Sequence, residues 1–369
     1  MIRSLLIALS LVAAGPAAAQ SHEAQSGRTY TQAELWTRSG ERITFSLGGI
    51  SLPTRAGEIR MTRQVEASQQ GRGLDNALLY ASPDRAVFAT AYIYAPALAD
   101  AALTAFMTDY VIQLQSGAGL RTLRSGVVTA GEREGVAIRA DYAGFREERL
   151  ASSAAFMRVG RWIVKLRVSG PEARRAEVEA AMTALLGEVR FDGPTQPAAA
   201  EPITAPACES TPSRAARPVQ SSDADTMEHA IMSHTPVDDA ASPRWCRSVG
   251  YRHPEALGPT PVLRDMSPGV GEDSWRRVLI ALVADNGTMF EVAERRFQNR
   301  TRFVLIHHQI GRTTVLGAYD SVPTDEQIAD IALGRDREGG RARATIVHQA
   351  SGGSSINVQV APTPASPRT

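Results

Sequence analysis

A segment rich in proline, alanine and serine divides the chain and limits what each part can fold into. It runs from residue 192 to residue 243 and contains few large apolar side chains. Such a composition buries too little apolar surface to offset the entropy lost when it becomes ordered. The sequence therefore predicts two folded domains, at 41–191 and 244–361, joined by a linker at 192–243. The last residues, 362–369, are predicted to form a disordered tail.

The first residues have the parts of a secretory signal peptide. Arg3 supplies a short basic region, residues 4–14 are mostly apolar, and the three alanines at 17–19 resemble a cleavage site. The apolar stretch is too short to cross a hydrocarbon layer of about 30 Å. The sequence predicts a signal peptide at 1–19, a mature chain from near Gln20 without a transmembrane segment, and a location in the bacterial periplasm. Secretion is the alternative.

Cys208 and Cys246 are the two cysteines of the chain, and exported proteins meet an oxidising compartment. Two cysteines allow one intramolecular pairing, so the sequence predicts a Cys208–Cys246 disulfide. For a loop of roughly 38 residues, the chain-entropy estimate of the stabilisation is about 3 to 4 kcal/mol. Such a bridge would hold the linker against the second domain.

The first domain contains strand patterns that alternate with helix patterns. The stretch "RAVFATAYIYAP" alternates two faces as a strand does, and "ALADAALTAFMTDYVIQLQSG" has apolar residues at helical spacing. Next, "GVAIRADYAG", "RLASSAAFM" and "WIVKLRV" predict an antiparallel meander. A second helix is predicted after "SGPE", where proline suits a first helical turn.

This order of elements resembles the PsbP-like family, over roughly residues 41–191. Members of that family form an antiparallel sheet sandwiched by helices. Most are binding or assembly modules, many are exported, and often they have no catalytic residues of their own. The resemblance therefore implies a PsbP-type α/β/α sandwich with a binding function. It rests on the order of elements alone, so it transfers no role to any single residue.

The second domain contains three predicted hairpins and one helix. Thr324 and Gln327 occupy the positions of a capping box, and Gly334 suits the end of the helix. The hairpins are predicted to turn at Asn286-Gly287, Gly311-Arg312 and Gly352-Gly353. The predicted fold class of the whole chain is α+β, with two domains that are each an antiparallel sheet covered by helices.

Asp225, His229 and His234 are the candidate metal ligands. Asp225 and His229 are four residues apart in "DADTMEHAIMSH" and would share one face of a helix. Imidazole and carboxylate groups suit zinc or another late transition metal. His234 would fall on a different face, and no HExxH or Cys-x-x-Cys pattern accompanies the set. The alternative is a solvated linker with incidental histidines, and no cofactor is predicted.

No catalytic residue is predicted. No serine has the Gly-x-Ser-x-Gly setting of a nucleophile elbow, and both cysteines are expected to pair with each other. Lys165 is the only lysine, which excludes a Walker A loop and a Ser-x-x-Lys motif. A serine activated by His307 or His348 is the alternative that the sequence leaves open.

His307 and His308 lie in "FVLIHHQIGR", an apolar run typical of a strand. Successive side chains of a strand point to opposite faces, so the two imidazoles are not expected to bind one metal together. His307 shares the more polar face with Gln309 and has the better claim to a functional role. Together with Trp245 and Tyr251, it is a candidate for an interaction surface. The alternatives are core packing for Trp245 and Tyr251, and a hydrogen-bonded strand histidine without a functional role for His307.

Charge and composition limit the classes of partner. Lysine and arginine total 40 and aspartate and glutamate total 39, so no global field attracts nucleic acid. The sequence predicts an exported, non-catalytic binding or assembly protein of the bacterial cell envelope. Its partner would be another envelope protein or a small ligand. The alternative is a metal-dependent or serine hydrolase that uses histidines of the second domain.

Overall fold

The computed structural model describes residues 28–67, 72–116, 119–145, 150–219, 244–248, 250–252, 259–260, 262–265, 277–282, 287–297, 300–350 and 354–358. Strands make up 50% and helices 17% of this described part. The predicted signal peptide and tail lie outside it, as do the candidate metal ligands Asp225, His229 and His234.

The N-terminal unit contains two antiparallel sheets. One has four strands in the order β1-β2-β3-β12, and the other has eight in the order β4-β5-β6-β7-β11-β10-β9-β8. The strands are β1 Trp36–Ser39, β2 Arg42–Phe45, β3 Ile50–Pro53, β4 Arg55–Ala56, β5 Ile59–Glu66, β6 Asp75–Ala81, β7 Phe88–Tyr94, β8 Arg121–Ala130, β9 Arg133–Phe145, β10 Leu150–Val159, β11 Trp162–Pro171 and β12 Arg190–Phe191.

The C-terminal unit is built on one nine-stranded antiparallel sheet. Its order is β14-β17-β18-β19-β20-β21-β22-β23, with β13 also paired to β21, while β15 and β16 form a separate two-stranded ribbon. The strands are β13 Pro218–Val219, β14 Trp245–Arg247, β15 Tyr251–Arg252, β16 Pro259–Thr260, β17 Val262–Asp265, β18 Arg277–Leu282, β19 Met289–Phe297, β20 Arg300–Gln309, β21 Arg312–Tyr319, β22 Ala344–His348 and β23 Ser354–Val358.

Four α-helices accompany these sheets in the described ranges. They are α1 Gln32–Leu35, α2 Ala101–Ser116, α3 Arg175–Glu188 and α4 Asp325–Ala332. A short 3-10 helix, Glu172–Arg174, leads into α3. Within the described residues, no helix is long and apolar enough to cross a membrane.

The predicted fold class is wrong, because the protein is mostly β, with three antiparallel sheets and few helices. The α/β/α sandwich predicted for the first domain is wrong for the same reason. A helix is about 10 Å wide, whereas eight strands spaced about 4.8 Å apart span roughly 34 Å. In keeping with that difference, α2 contacts β9 and β10, and α3 contacts mainly β10 and β11. The helices therefore cover only part of the sheet.

The core of the N-terminal unit contains an aromatic cluster where the two sheets meet. The ring centroids of Trp36 and Phe45 are 5.2 Å apart, and those of Phe45 and Trp162 are 4.8 Å apart. Trp36 and Phe45 belong to the four-stranded sheet, whereas Trp162 begins β11 of the eight-stranded sheet. Such tilted and edge-on contacts favour a fixed angle between the two sheets.

α2 is packed on two opposite sides. Ala101, Ala105 and Ile112 lie within about 40° of each other around a helix of 3.6 residues per turn, whereas Leu103 and Met107 lie on the other side. The first three residues join a buried cluster with side chains of the eight-stranded sheet. The other two join a cluster with side chains of the nine-stranded sheet: Trp245, Leu263, Leu279, Ala281 and Met289. This helix therefore forms a shared layer between the two units.

The predicted linker begins with an ordered segment, residues 192–219, that lies along both units and is here named the strap. The amide of Ala198 donates to the carbonyl of Arg158 at 2.9 Å in the N-terminal unit. Further on, β13 pairs with β21 of the C-terminal unit. The predicted disulfide is confirmed, with a distance of 4.9 Å between the Cα atoms of Cys208 and Cys246. The bridge fastens the strap to β14.

The turn between β20 and β21 also contacts the N-terminal unit. Gly311 has a φ of +70°, and a Cβ added there would lie 2.9 Å from Cδ1 of Leu74. The Arg72 guanidinium donates to the Gly311 carbonyl at 3.1 Å. Ile310 packs against the buried clusters on both faces of the eight-stranded sheet. Glycine is needed here because a side chain would disturb this close approach.

Candidate functional site

Four polar side chains form a connected row across the nine-stranded sheet, here named the histidine ladder. Glu291, His308, Thr313 and His348 come from β19, β20, β21 and β22 in turn. Residues directly opposite each other on neighbouring antiparallel strands share a face of the sheet. Leu279 opposes Glu291, and His308 opposes Thr313. The ladder therefore lies on the face that also packs against α2.

The ladder is held by three short contacts. His308 Nε2 lies 2.9 Å from Glu291 Oε2, and His308 Nδ1 lies 3.0 Å from Thr313 Oγ1. Thr313 Oγ1 also lies 2.8 Å from Nε2 of His348. An ionised Glu291 accepts only, each imidazole nitrogen donates or accepts according to its protonation, and the Thr313 hydroxyl does both, so each of the three contacts can have one donor.

The geometry around His308 has the form of an acid, a base and a hydroxyl. A carboxylate on one ring nitrogen and a hydroxyl on the other is the relation that activates a nucleophile in hydrolases. However, the exposed fractions of Thr313, His308 and Glu291 are 2%, 5% and 8%. The Thr313 hydroxyl is also bonded to a second imidazole, that of His348. The ladder thus has catalytic chemistry but little access for a substrate.

His307 lies on the opposite face of β20 and has different surroundings. Its ring stacks on Phe290 of β19, with 4.3 Å between centroids and 3° between ring planes. Burial lowers the pKa of His307 to about 4, with smaller contributions from His308 and Arg312. The ring is therefore neutral at physiological pH and acts as part of an aromatic pair.

Trp245 and Tyr251 were predicted to contribute to an interaction surface together with His307. Both are buried. Trp245 packs in the cluster with α2, and Tyr251 packs in a cluster with residues of α4. His307 is half-buried. The structure thus places Trp245 and Tyr251 inside the protein, in two different clusters.

The structure brings together His308 and His348, but it places His307 elsewhere. Glu291 and Thr313 were not among the predicted residues, because their positions follow from strand register. Thr313 faces His308 because five residues separate them across a tight turn, a spacing that the sequence does show. Glu291 is offset by two residues from Met289, the residue that directly opposes His308. No sequence pattern indicates this offset.

No group of three or more metal-binding side chains occurs in the part of the chain that the structure describes. The predicted candidates, Asp225, His229 and His234, lie outside that part. The sequence also left open a serine nucleophile activated by His307 or His348. In the ladder, the hydroxyl next to His348 belongs to Thr313. The structure thus shows a threonine hydroxyl in contact with both His308 and His348.

Replacing His307 by phenylalanine should make the protein less sensitive to acid. The unfolded imidazole binds a proton below about pH 6.5, but the folded one stays neutral down to about pH 4. The contribution of His307 to stability is therefore present above pH 6.5 and is lost as the pH falls through 4. In the wild type this loss is about 2–3 kcal/mol.

The free energy of unfolding is measured with urea for both proteins at pH 7.5 and pH 4. The value of each protein at pH 7.5 is its own reference. We expect the loss between the two pH values to be smaller in His307→Phe by about 2–3 kcal/mol. Equal losses in the two proteins would show that His307 is not buried as the structure places it.

No protein-family model matches this chain, and no curated protein matches it. The resemblance to PsbP-like proteins therefore stays a prediction, without support or contradiction from any relative.

Proposed function

We propose that the protein is an exported, non-catalytic binding or assembly protein of the bacterial cell envelope. Its partner would be another envelope protein or a small ligand. The observation that carries the proposal is the burial of Glu291, His308 and Thr313, the acid, base and hydroxyl of the histidine ladder. Its members hydrogen-bond to one another across four strands. Buried polar networks of this kind specify how a sheet packs.

The disulfide supports the exported part of the proposal. Disulfides form and persist in oxidising compartments and are rare in the cytosol. Cys208 and Cys246 are bonded to each other, and both cysteines of the chain are thereby used. The signal-peptide pattern of residues 1–19 points in the same direction.

A hydrolase that uses Thr313 as its nucleophile is the second candidate. Glu291, His308 and Thr313 have the spacing of an acid, a base and a nucleophile. For this function, a substrate would have to reach a hydroxyl that is almost fully buried. Motion that opens the contact between the ladder and its surroundings would be needed in every turnover.

Thr313→Val separates the two candidates. Removing the hydroxyl takes one hydrogen bond from each of two imidazoles inside the protein, so we expect a loss of about 1–3 kcal/mol of unfolding free energy. Thr314→Val is the matched control, because Thr314 is a buried threonine of β21 that follows Thr313 and points to the other face. Its loss should be smaller than that of Thr313→Val.

Activity is measured on the same variants with p-nitrophenyl acetate and with a fluorophosphonate label. The binding proposal expects no turnover and no labelling of Thr313 in the wild type. Turnover that Thr313→Val and His308→Ala abolish, while Thr314→Val keeps it, would establish the hydrolase instead.

Export is tested by expressing the whole chain, with its own N-terminus, in a bacterium. We expect the protein in the osmotic-shock fraction, with a mature N-terminus near Gln20 and an intact Cys208–Cys246 bridge by mass spectrometry. Full-length protein with two free thiols in the cytoplasmic fraction would contradict export. Cross-linking in the same cells then identifies the partner.

A further inference from the structure

Among the strands that the structure describes, β8 forms one edge of the eight-stranded sheet, with no further strand paired to its outer side. It has ten residues and stands last in the strand order. Among the described edge strands it is the longest, since β1 has four residues, β23 has five and β14 has three. Backbone groups on the outer side of an edge strand are free to pair with another strand.

Two large apolar side chains of β8 are exposed. Leu123 and Val127 are both 42% exposed, and they are two of the four large hydrophobic side chains that are exposed in the described residues. Ser125, between them, and Thr129, just beyond, are exposed as well and carry no charge. Exposed apolar side chains on an open edge are the usual signature of strand addition by a partner.

The strand is regular in its centre. Its register with β9 shifts between Thr122 and Arg124 and again between Val128 and Ala130. The regular run is therefore Arg124–Val128, and Gly126 is its middle residue. A Cβ added at Gly126 would meet nothing within 4 Å, so the strand has room for a side chain on its face at this position.

We propose that β8 pairs with β8 of a second copy of this chain, antiparallel, around a two-fold axis at Gly126. This axis is perpendicular to the sheet. Rotation about it leaves each face of β8 on the same side in both copies, so the two eight-stranded sheets join into one continuous sheet. Gly126 then opposes Gly126 of the second copy. Arg124 opposes Val128 of that copy, and the two register shifts fall opposite each other.

Charge favours this arrangement over a parallel one. The arginines of β8, Arg121 and Arg124, lie in its first half, and its second half has no charge. Antiparallel pairing keeps the arginines of the two copies apart and brings Arg121 beside the turn that carries Glu132 of the second copy. Arg121 already lies 2.8 Å from Glu172 of its own chain, so Glu132 would join an existing ion pair. Like charges directly opposite on paired strands are destabilising.

The paired run is short, so the dimer should dissociate on dilution. Interfaces well below about 1,200 Å² of buried surface are typical of weak or transient complexes. Burial of Leu123 and Val127 would contribute most of its affinity. The partner is the same chain, so the inference goes beyond the proposed function and does not depend on it.

Gly126→Cys tests the axis directly. Opposed residues of antiparallel strands have Cα atoms about 4.5–5.5 Å apart, which is within the range of an unstrained disulfide. Ser125→Cys is the matched control. Residue 125 would oppose Val127 of the second copy, so the two introduced cysteines would lie about 7–8 Å apart. The native cysteines are bonded to each other and do not compete.

Both variants of the full chain are oxidised with air and copper phenanthroline at about 100 µM, a concentration suited to a weak complex. We expect Gly126→Cys to give a covalent dimer on non-reducing gels and in intact-mass spectra, at least about tenfold more than Ser125→Cys gives. Equal cross-linking of the two variants, or none in either, would overturn the proposal.

Sedimentation equilibrium tests whether the exposed side chains of β8 contribute to the affinity of the dimer. Val127→Lys should raise the dimer dissociation constant at least about tenfold. Leu333→Lys, which changes an exposed hydrophobic residue at the end of α4, should leave it unchanged. Arg121→Glu should also weaken the dimer, and adding Glu132→Arg should restore it. Wild-type protein that is monomeric at every concentration, or a dimer that Val127→Lys does not weaken, would overturn the proposal.

Discussion

The packing of α2 between two sheets is the constraint on which the rest of the structure depends. A surface helix has one apolar side, but α2 places Ile112 on one sheet and Met107 on the other. A helix that is apolar on opposite sides must be covered twice to be stable in water. The N-terminal unit alone can cover one side. The nine-stranded sheet supplies the second cover, so neither unit buries this helix without the other.

Polar groups inside the protein are arranged to support this packing. Arg264 lies beside Asp325, with 2.9 Å between Nε and Oδ1, and the pair joins α4 to β17. The pair formed by Arg139 and Asp141 likewise joins the eight-stranded sheet to α3. Buried charges are tolerated only when they are paired and hydrogen-bonded. The histidine ladder follows the same rule, because Glu291 is hydrogen-bonded to His308.

The sequence predicts features correctly where the signal is local. The Cys208–Cys246 disulfide, the capping box of Thr324 and Gln327, and the hairpin turn at Gly311 are each set by residues close in sequence or by a unique pairing. It also separated the two adjacent histidines correctly, because strand side chains alternate between faces. It then favoured His307, although the structure places His308 in the polar ladder.

The failures have non-local causes. The fold class was wrong because a helical pattern shows that a helix exists, but it does not show how much of a sheet that helix covers. The pattern of α2 was interpreted as a helix of the first domain, whereas apolar residues on its two opposite sides face two sheets. Glu291 was missed because its place beside His308 depends on the register between β19 and β20. Register over long strands is fixed by the whole packed face.

Calorimetric unfolding of the full chain is the most direct test of the shared-helix account. If α2 joins the two sheets into one cooperative body, heating gives a single transition in which the calorimetric and van't Hoff enthalpies agree. Two separate transitions, one for each unit, would contradict the account, because one unit would then keep α2 folded after the other had unfolded.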